Sequence, residues 1–273
     1  MKTLTALTLA ATSIFAATFS LQASSLLDAE AQKALANYNQ SFKAVKTQAQ
    51  LIKTYQQGQQ LGQKLSQKLQ VPFDKIQESG SGYDTFNTQL EAITKQFPGF
   101  RGLLVAEGTV VDFWPHYGQF AQAAQKTPEK ADNDFFNLMI AAYGPDNGSF
   151  GLWFQQTWDY GGCTNLGDGQ SLKLWQELAR VRKAKSPFET ELQSLQDDLW
   201  QTSLNYAAYC KDSKSVLTEF EQILHVIPAK LSSQAKHRLD LLKHPEKRKV
   251  EEVGQIGFNC GGDYEKRDPG CDT

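Results

Sequence analysis

The sequence predicts a mainly α-helical fold, α+β only at the margin: a disulfide-stapled helical domain with one small β-hairpin, preceded by a long N-terminal helical arm. Three observations predict it. Apolar residues recur in steps of three and four along most of the chain, β-branched and aromatic residues gather around one short turn, and four cysteines follow an export-like N-terminus. With 273 residues, 40% of them apolar and 21% charged, the chain can bury a substantial core. That composition excludes wholesale disorder, a collagen-like repeat and a polytopic membrane protein. A formal net charge of -2 and a pI near 6.1 supply no general attraction to nucleic acid.

Met1 and Lys2 precede an uncharged run from Thr3 to Ala23 that ends in the small residues Ser20 and Ala23. This pattern reads as a secretory signal peptide over residues 1–23, with a mature chain beginning near Ser24. Thr5, Thr8, Thr12, Ser13, Thr18 and Ser20 interrupt the apolar run and no basic flank follows it, which argues against a membrane anchor. No cysteine precedes Cys163, so the new N-terminus has no acceptor for a lipid. A periplasmic or secreted protein without a membrane span in its mature form is expected.

The next segment, residues 24–78, reads as the arm. Ala31, Leu35, Tyr38, Phe42, Val45, Ala49 and Ile52 fall on one stripe of a long helix, and Leu51, Tyr55, Leu61, Leu65 and Leu69 continue it on a shifted face until Pro72 ends it. Gly58 and Gly62 weaken its middle by about 1 kcal/mol each relative to Ala, so a bend is expected there. Six lysines (Lys33, Lys43, Lys46, Lys53, Lys64 and Lys68) and no acid lie between Glu30 and Asp74, among twelve glutamines from Gln32 to Gln77. The chain from Asp74 onward carries 21 basic and 28 acidic groups, an asymmetry that fits either packing on the protein's own acidic body or an anionic surface.

After the breaker Glu78-Ser79-Gly80-Ser81-Gly82, the globular domain is expected over residues 83–258. Phe86, Leu90, Ile93 and Phe97 mark a helix stopped by Pro98-Gly99, and Leu103–Ala106 with Thr109–Trp114 read as a hairpin around Glu107-Gly108. Asp132 can cap a helix bearing Phe136, Met139, Ile140 and Tyr143, ended by Gly144-Pro145. Gly148–Gly169 fits either short strands or ordered loop. Leu174, Trp175, Leu178 and Val181 mark a further helix. Ser186-Pro187-Phe188-Glu189 reads as a capping box opening a helix with Phe188, Leu192, Leu195, Leu199, Tyr206 and Tyr209 on one stripe. Leu217, Phe220, Leu224 and Ile227, then Ala235, Leu239 and Leu242, mark two more.

Cys163, Cys210, Cys260 and Cys271 allow three disulfide pairings; the favoured one joins Cys163 to Cys210 and Cys260 to Cys271, the second closing a tail at residues 259–273. No Cys-x-x-Cys pair suggests zinc, and no nucleotide or phosphate fingerprint is present, so neither metal nor cofactor is expected. His237 and His244 could share a helix face without completing a metal site. Trp153, Phe154, Trp158 and Tyr160, set between glycines, read either as core or as a binding platform.

Glu78-Ser79, Gly151-Leu152-Trp153-Phe154-Gln155 and Ala208-Tyr209-Cys210 resemble, in order, three segments of the lytic transglycosylase family. The resemblance implies a general acid at Glu78 and peptidoglycan cleavage. It departs from the family in the 73 residues separating Glu78 from Gly151, in the inserted Phe154, and in Cys210 where an asparagine belongs. Glu107 is the other imaginable acid, though a turn carboxylate is ordinarily solvated. The expected function is therefore a non-enzymatic envelope or secreted binding protein. It would meet an anionic envelope component or partner protein through Lys43, Lys46 and Lys53 or through the aromatic segment. The alternatives are a glycan-cleaving enzyme and, by composition alone, a helical subunit of a secretion or conjugation apparatus.

Overall fold

The computed structural model describes residues 26–105, 108–147, 151–156, 162–205, 207–244 and 256–258. It is mainly helical, as expected, and forms two compact units: residues up to Glu129 with Pro145–Asn147, and Lys130–Gly144 with the chain from Gly148 onward. The arm is thus one part of the first unit, and the compact units do not divide at residues 79–83.

In the first unit the expected long helix is two helices. Helix α1 (Ala29–Lys43) is capped by Asp28, which accepts from the Ala31 amide, and α2 (Gln48–Ser79) is capped by Thr47, which accepts from Gln50. The stripe through Ile52 breaks because the Ala44–Thr47 turn buries Val45 and reverses the chain, bringing Ala31 and Tyr38 of α1 toward Leu61 and Leu65 of α2. Pro72 does not end α2. The helix continues to Ser79, carried across the missing Pro72 amide by Leu69 and Phe73, both fully buried, and stops at Gly80 with φ of 66°.

Helix α3 (Tyr83–Gln96) buries Phe86, Leu90 and Ile93 as the periodicity predicts. Strands β1 (Phe100–Val105) and β2 (Val110–Pro115) form the antiparallel hairpin, with Leu103 opposite Asp112, and helix α4 (Tyr117–Ala124) follows. The hairpin lies directly on α2. A Cβ at Gly58 would stand 2.1 Å from the Phe100 ring, and one at Gly62 3.1 Å from Phe113 Cβ. These glycines therefore serve close approach of helix and strand. Phe97 and Phe100 stack at 4.8 Å, Tyr38 meets Phe97 edge-on at 4.9 Å, and Tyr55 meets Phe120 at 5.0 Å. Burial pushes the Tyr38 phenol above its ordinary pKa, and its hydroxyl donates to the Pro98 carbonyl at 2.9 Å.

In the second unit, α5 (Lys130–Tyr143) starts before Asp132, so that residue is a buried member of the first turn, not a cap. Gly144 closes the helix with φ of 82°. Helix α6 (Gln170–Lys183) carries the predicted Leu174, Trp175, Leu178 and Val181 core face. Helix α7 (Glu189–Leu199) does not use the expected capping box: Phe188 occupies the cap position, stacked on Phe135 at 4.0 Å, while Ser186 Oγ accepts from the Phe188 amide.

The predicted α7 stripe holds as far as Leu199. A π-helical turn (Trp200–Asn205) then leads into a strand, so Tyr209 is not helical and Tyr206 lies outside the described residues. Besides the hairpin there is a four-stranded sheet, β3 (Phe154–Gln156), β4 (Gly162–Thr164), β5 (Ala207–Tyr209) and β6 (Ile256–Phe258), antiparallel at β3–β4 and parallel elsewhere. The stretch after Gly148 is therefore partly strand. Cys163 and Cys210 are bonded across β4 and the end of β5, with Cα atoms 5.1 Å apart, in the favoured pairing. Cys260 and Cys271 lie outside the described residues.

Helix α8 (Ser213–Ile223) buries Val216, Phe220 and Ile223, where the periodicity pointed to Leu217 and Leu224. The shift brings Glu219 inside. Its carboxylate accepts from the amides of Gly167, Gly169 (2.9 Å) and Leu172 (2.7 Å) at the start of α6, whose own cap residue, Gly169, has no side chain to offer. Helix α9 (Ala229–Lys243) completes the unit, burying Ala235, Leu239 and Leu242.

Gly58→Ala is expected to destabilise by about 1–3 kcal/mol in urea denaturation, because overpacking against Phe100 outweighs the gain in helix propensity. Glu219→Ala is expected to cost about 1–3 kcal/mol, since it strands half-buried amides that Glu219→Gln still partly satisfies.

Candidate functional site

The first unit presents two open grooves on either side of one helical ridge. Helix α2 supplies the ridge because its buried positions, Leu51, Tyr55, Leu61, Leu65 and Leu69, all face inward and leave glutamine and lysine outside.

The first groove runs between α1 and α2 and holds about 670 Å³. Ala31, Ala34, Tyr38, Leu61 and Leu65 form its apolar lining, and Asn37, Ser41, Gln57, Lys64 and Lys68 are among its polar residues. Lys68 is bonded to Asp28. That bond, with the Ala31 amide behind it, holds the Asp28 carboxyl below the ordinary aspartate range. Lys33, Lys43, Lys46, Lys53 and Lys64 are exposed, and none forms an ion pair among the described residues. Lys43 and Lys46 flank the Ala44 position of the interhelical turn, and Lys53 lies in the second turn of α2.

The second groove, about 660 Å³, runs between α2 and β2. Gln56, Gln59, Gln60 and Gln63 form one wall and Asp112, Phe113 and Pro115, with Phe100, the other. Asp112 is held in place: Oδ1 accepts from the Ser66 hydroxyl at 3.2 Å and the Phe113 amide at 2.8 Å, and Oδ2 from the Trp114 indole at 2.8 Å. Farther along the same edge of β2, the Gln70 side chain accepts from the Val111 amide and donates to the Thr109 carbonyl, as a neighbouring strand would.

The remaining candidates are dispersed. Trp153 is buried, its indole donating to Thr202 Oγ1 and meeting Tyr143 edge-on at 5.4 Å, and Phe154 is half-buried in β3. Trp158, Tyr160 and Glu107 lie outside the described residues. Glu78 is exposed on the last turn of α2. Of the other fragments that resemble the transglycosylases, one centres on buried Trp153 and the other ends in disulfide-bonded Cys210.

Among the described residues no group of three His, Cys, Asp or Glu side chains is placed to hold a metal. His116 accepts from the Gln119 amide at 3.2 Å through Nδ1, and its Nε2 lies 3.1 Å from Asp146. No described helix is long and apolar enough to cross a membrane.

In the sequence the glutamines stand out only as composition. The signal for the second groove was their spacing, with Gln56, Gln59, Gln60 and Gln63 on one helical face. Its missing half was the strand opposite, which depends on Gly58 and Gly62 reading as contact points. No protein-family model matches the chain, and no curated protein and no solved structure matches it.

Proposed function

We propose that the protein is an exported, non-enzymatic binding protein of the cell envelope or the extracellular space, and that its first unit meets an anionic envelope component or acidic partner through α1, α2 and the turn between them. The observation that carries this reading is the set of five exposed lysines without an ion pair among the described residues on α1, α2 and the turn between them. Ordinary solvated helices alternate charges and neutralise them at i, i+4, but here no acid lies between Glu30 and Asp74. The two helices and their turn fix the backbone positions from which these lysines project. The Cys163–Cys210 bond supports an oxidising destination, and the N-terminal run supports export. The burial of Trp153 favours the lysine face over the aromatic segment as the binding element.

Changing Lys43, Lys46 and Lys53 together to Glu is expected to abolish most binding to anionic vesicles or cell-wall sacculi while leaving the thermal midpoint nearly unchanged, because all three side chains are exposed. Wild-type binding should weaken steeply as salt rises through 0.1 M, where charges are screened beyond about 10 Å. Undiminished binding by the triple variant would sink the proposal. Export is tested separately: intact mass of the natively produced protein is expected to correspond to a chain starting near Ser24.

A further inference from the structure

We infer that the groove between α2 and β2 is a binding site for an uncharged oligosaccharide, recognised by the glutamine face of α2 and by Asp112. It has the size of a small-ligand site, about 660 Å³, and is built on a helix and a strand, not on loops. The two elements are pinned together by the close approach at Gly62, so the groove is preformed.

The chemistry of the walls selects the ligand. Gln56, Gln59, Gln60 and Gln63 each end in an amide with both donor and acceptor atoms, and none has a hydrogen-bond partner among the described residues. Such a row matches a polyol, whose every hydroxyl donates and accepts. Asp112 faces them from β2, and its Oδ2, with one donor on it, keeps capacity for another. Pro115, half-buried at the groove, adds an apolar contact for the C–H face of a sugar ring, with Phe113 and Phe100 buried behind it.

Two other ligand classes fit less well. An anion would meet the Asp112 carboxylate in a groove lined by no cation. An extended peptide would ordinarily add to the sheet through backbone amides, but the outer edge of β2 has none to give. The Val111 amide is bonded to Gln70, the Phe113 amide to Asp112, and Pro115 has no amide hydrogen.

The test uses the purified full chain and two probes, maltotetraose and the tetramer of N-acetylglucosamine, followed by ligand-observed NMR and calorimetry. At least one is expected to bind with a Kd of about 1 mM or tighter. The combined Gln56→Ala, Gln59→Ala and Gln63→Ala variant should bind about tenfold more weakly, with its thermal midpoint unchanged or raised because Ala is the better helix former. Asp112→Asn should also weaken binding, judged against its own thermal midpoint, since it has structural bonds as well. Changing Lys43, Lys46 and Lys53 to Glu should leave sugar binding intact, which separates this site from the proposed lysine face. The inference is overturned if neither tetrasaccharide binds at about 10 mM, if the triple glutamine variant binds as wild type, or if an acidic peptide displaces the sugar.

Discussion

The first unit depends on how closely a two-stranded hairpin can approach one long helix. Two strands alone bury too little to be stable in water, and the long amphipathic helix needs a partner for its apolar face. Each supplies what the other lacks at Gly58 and Gly62, where the missing side chains admit Phe100 and Phe113 against the helix backbone. Phe97, Tyr38, Tyr55 and Phe120 close around that contact, so most of the unit's large rings belong to one cluster. The ridge of α2 is positioned by the same contact: once its glycine face turns inward, the glutamines must turn out.

The outer edge of β2 follows from that geometry. A free strand edge is a liability, because its unpaired amides and carbonyls invite another chain. Here α2 covers the edge with side chains, the Gln70 amide standing in for a peptide group and Ser66 steadying Asp112. Glutamine suits both tasks on this helix. It forms helix well, carries no charge into a crowded contact, and offers a donor and an acceptor at one tip.

Much of the fold could be read from periodicity, and the failures have physical causes. Phe86, Leu90 and Ile93, or Leu174, Trp175, Leu178 and Val181, are buried as spacing alone predicts. Pro72 misled because tertiary packing by Leu69 and Phe73 outweighs one lost hydrogen bond. The α1–α2 break was hidden because Val45 fits a helical stripe equally well while lying in a turn. Leu217 and Leu224 gave way to a face containing Glu219, whose acceptors are needed by a helix far away in sequence, and no local pattern announces such a partner. The candidate sites divide in the same way. The exposed lysines were legible from charge runs, whereas the second groove needed knowledge of which strand lies beside which helix.

The Glu219 bridge also bears on the order in which the second unit can assemble. Leu172 at the start of α6 and its distant acceptor are 47 residues apart, and the Cys163–Cys210 bond likewise spans 47. Both closures are long-range, and the parallel pairing of β4 with β5 is long-range too. As the chain is made, α6 therefore has apolar residues to bury and only Asp168, which accepts from the Gln170 amide, at its N-terminus until α8 brings Glu219 to the Gly169 and Leu172 amides. The Gly169 and Leu172 amides, strand β4 and Cys163 thus find their partners only once the stretch from about residue 207 to residue 219 is present.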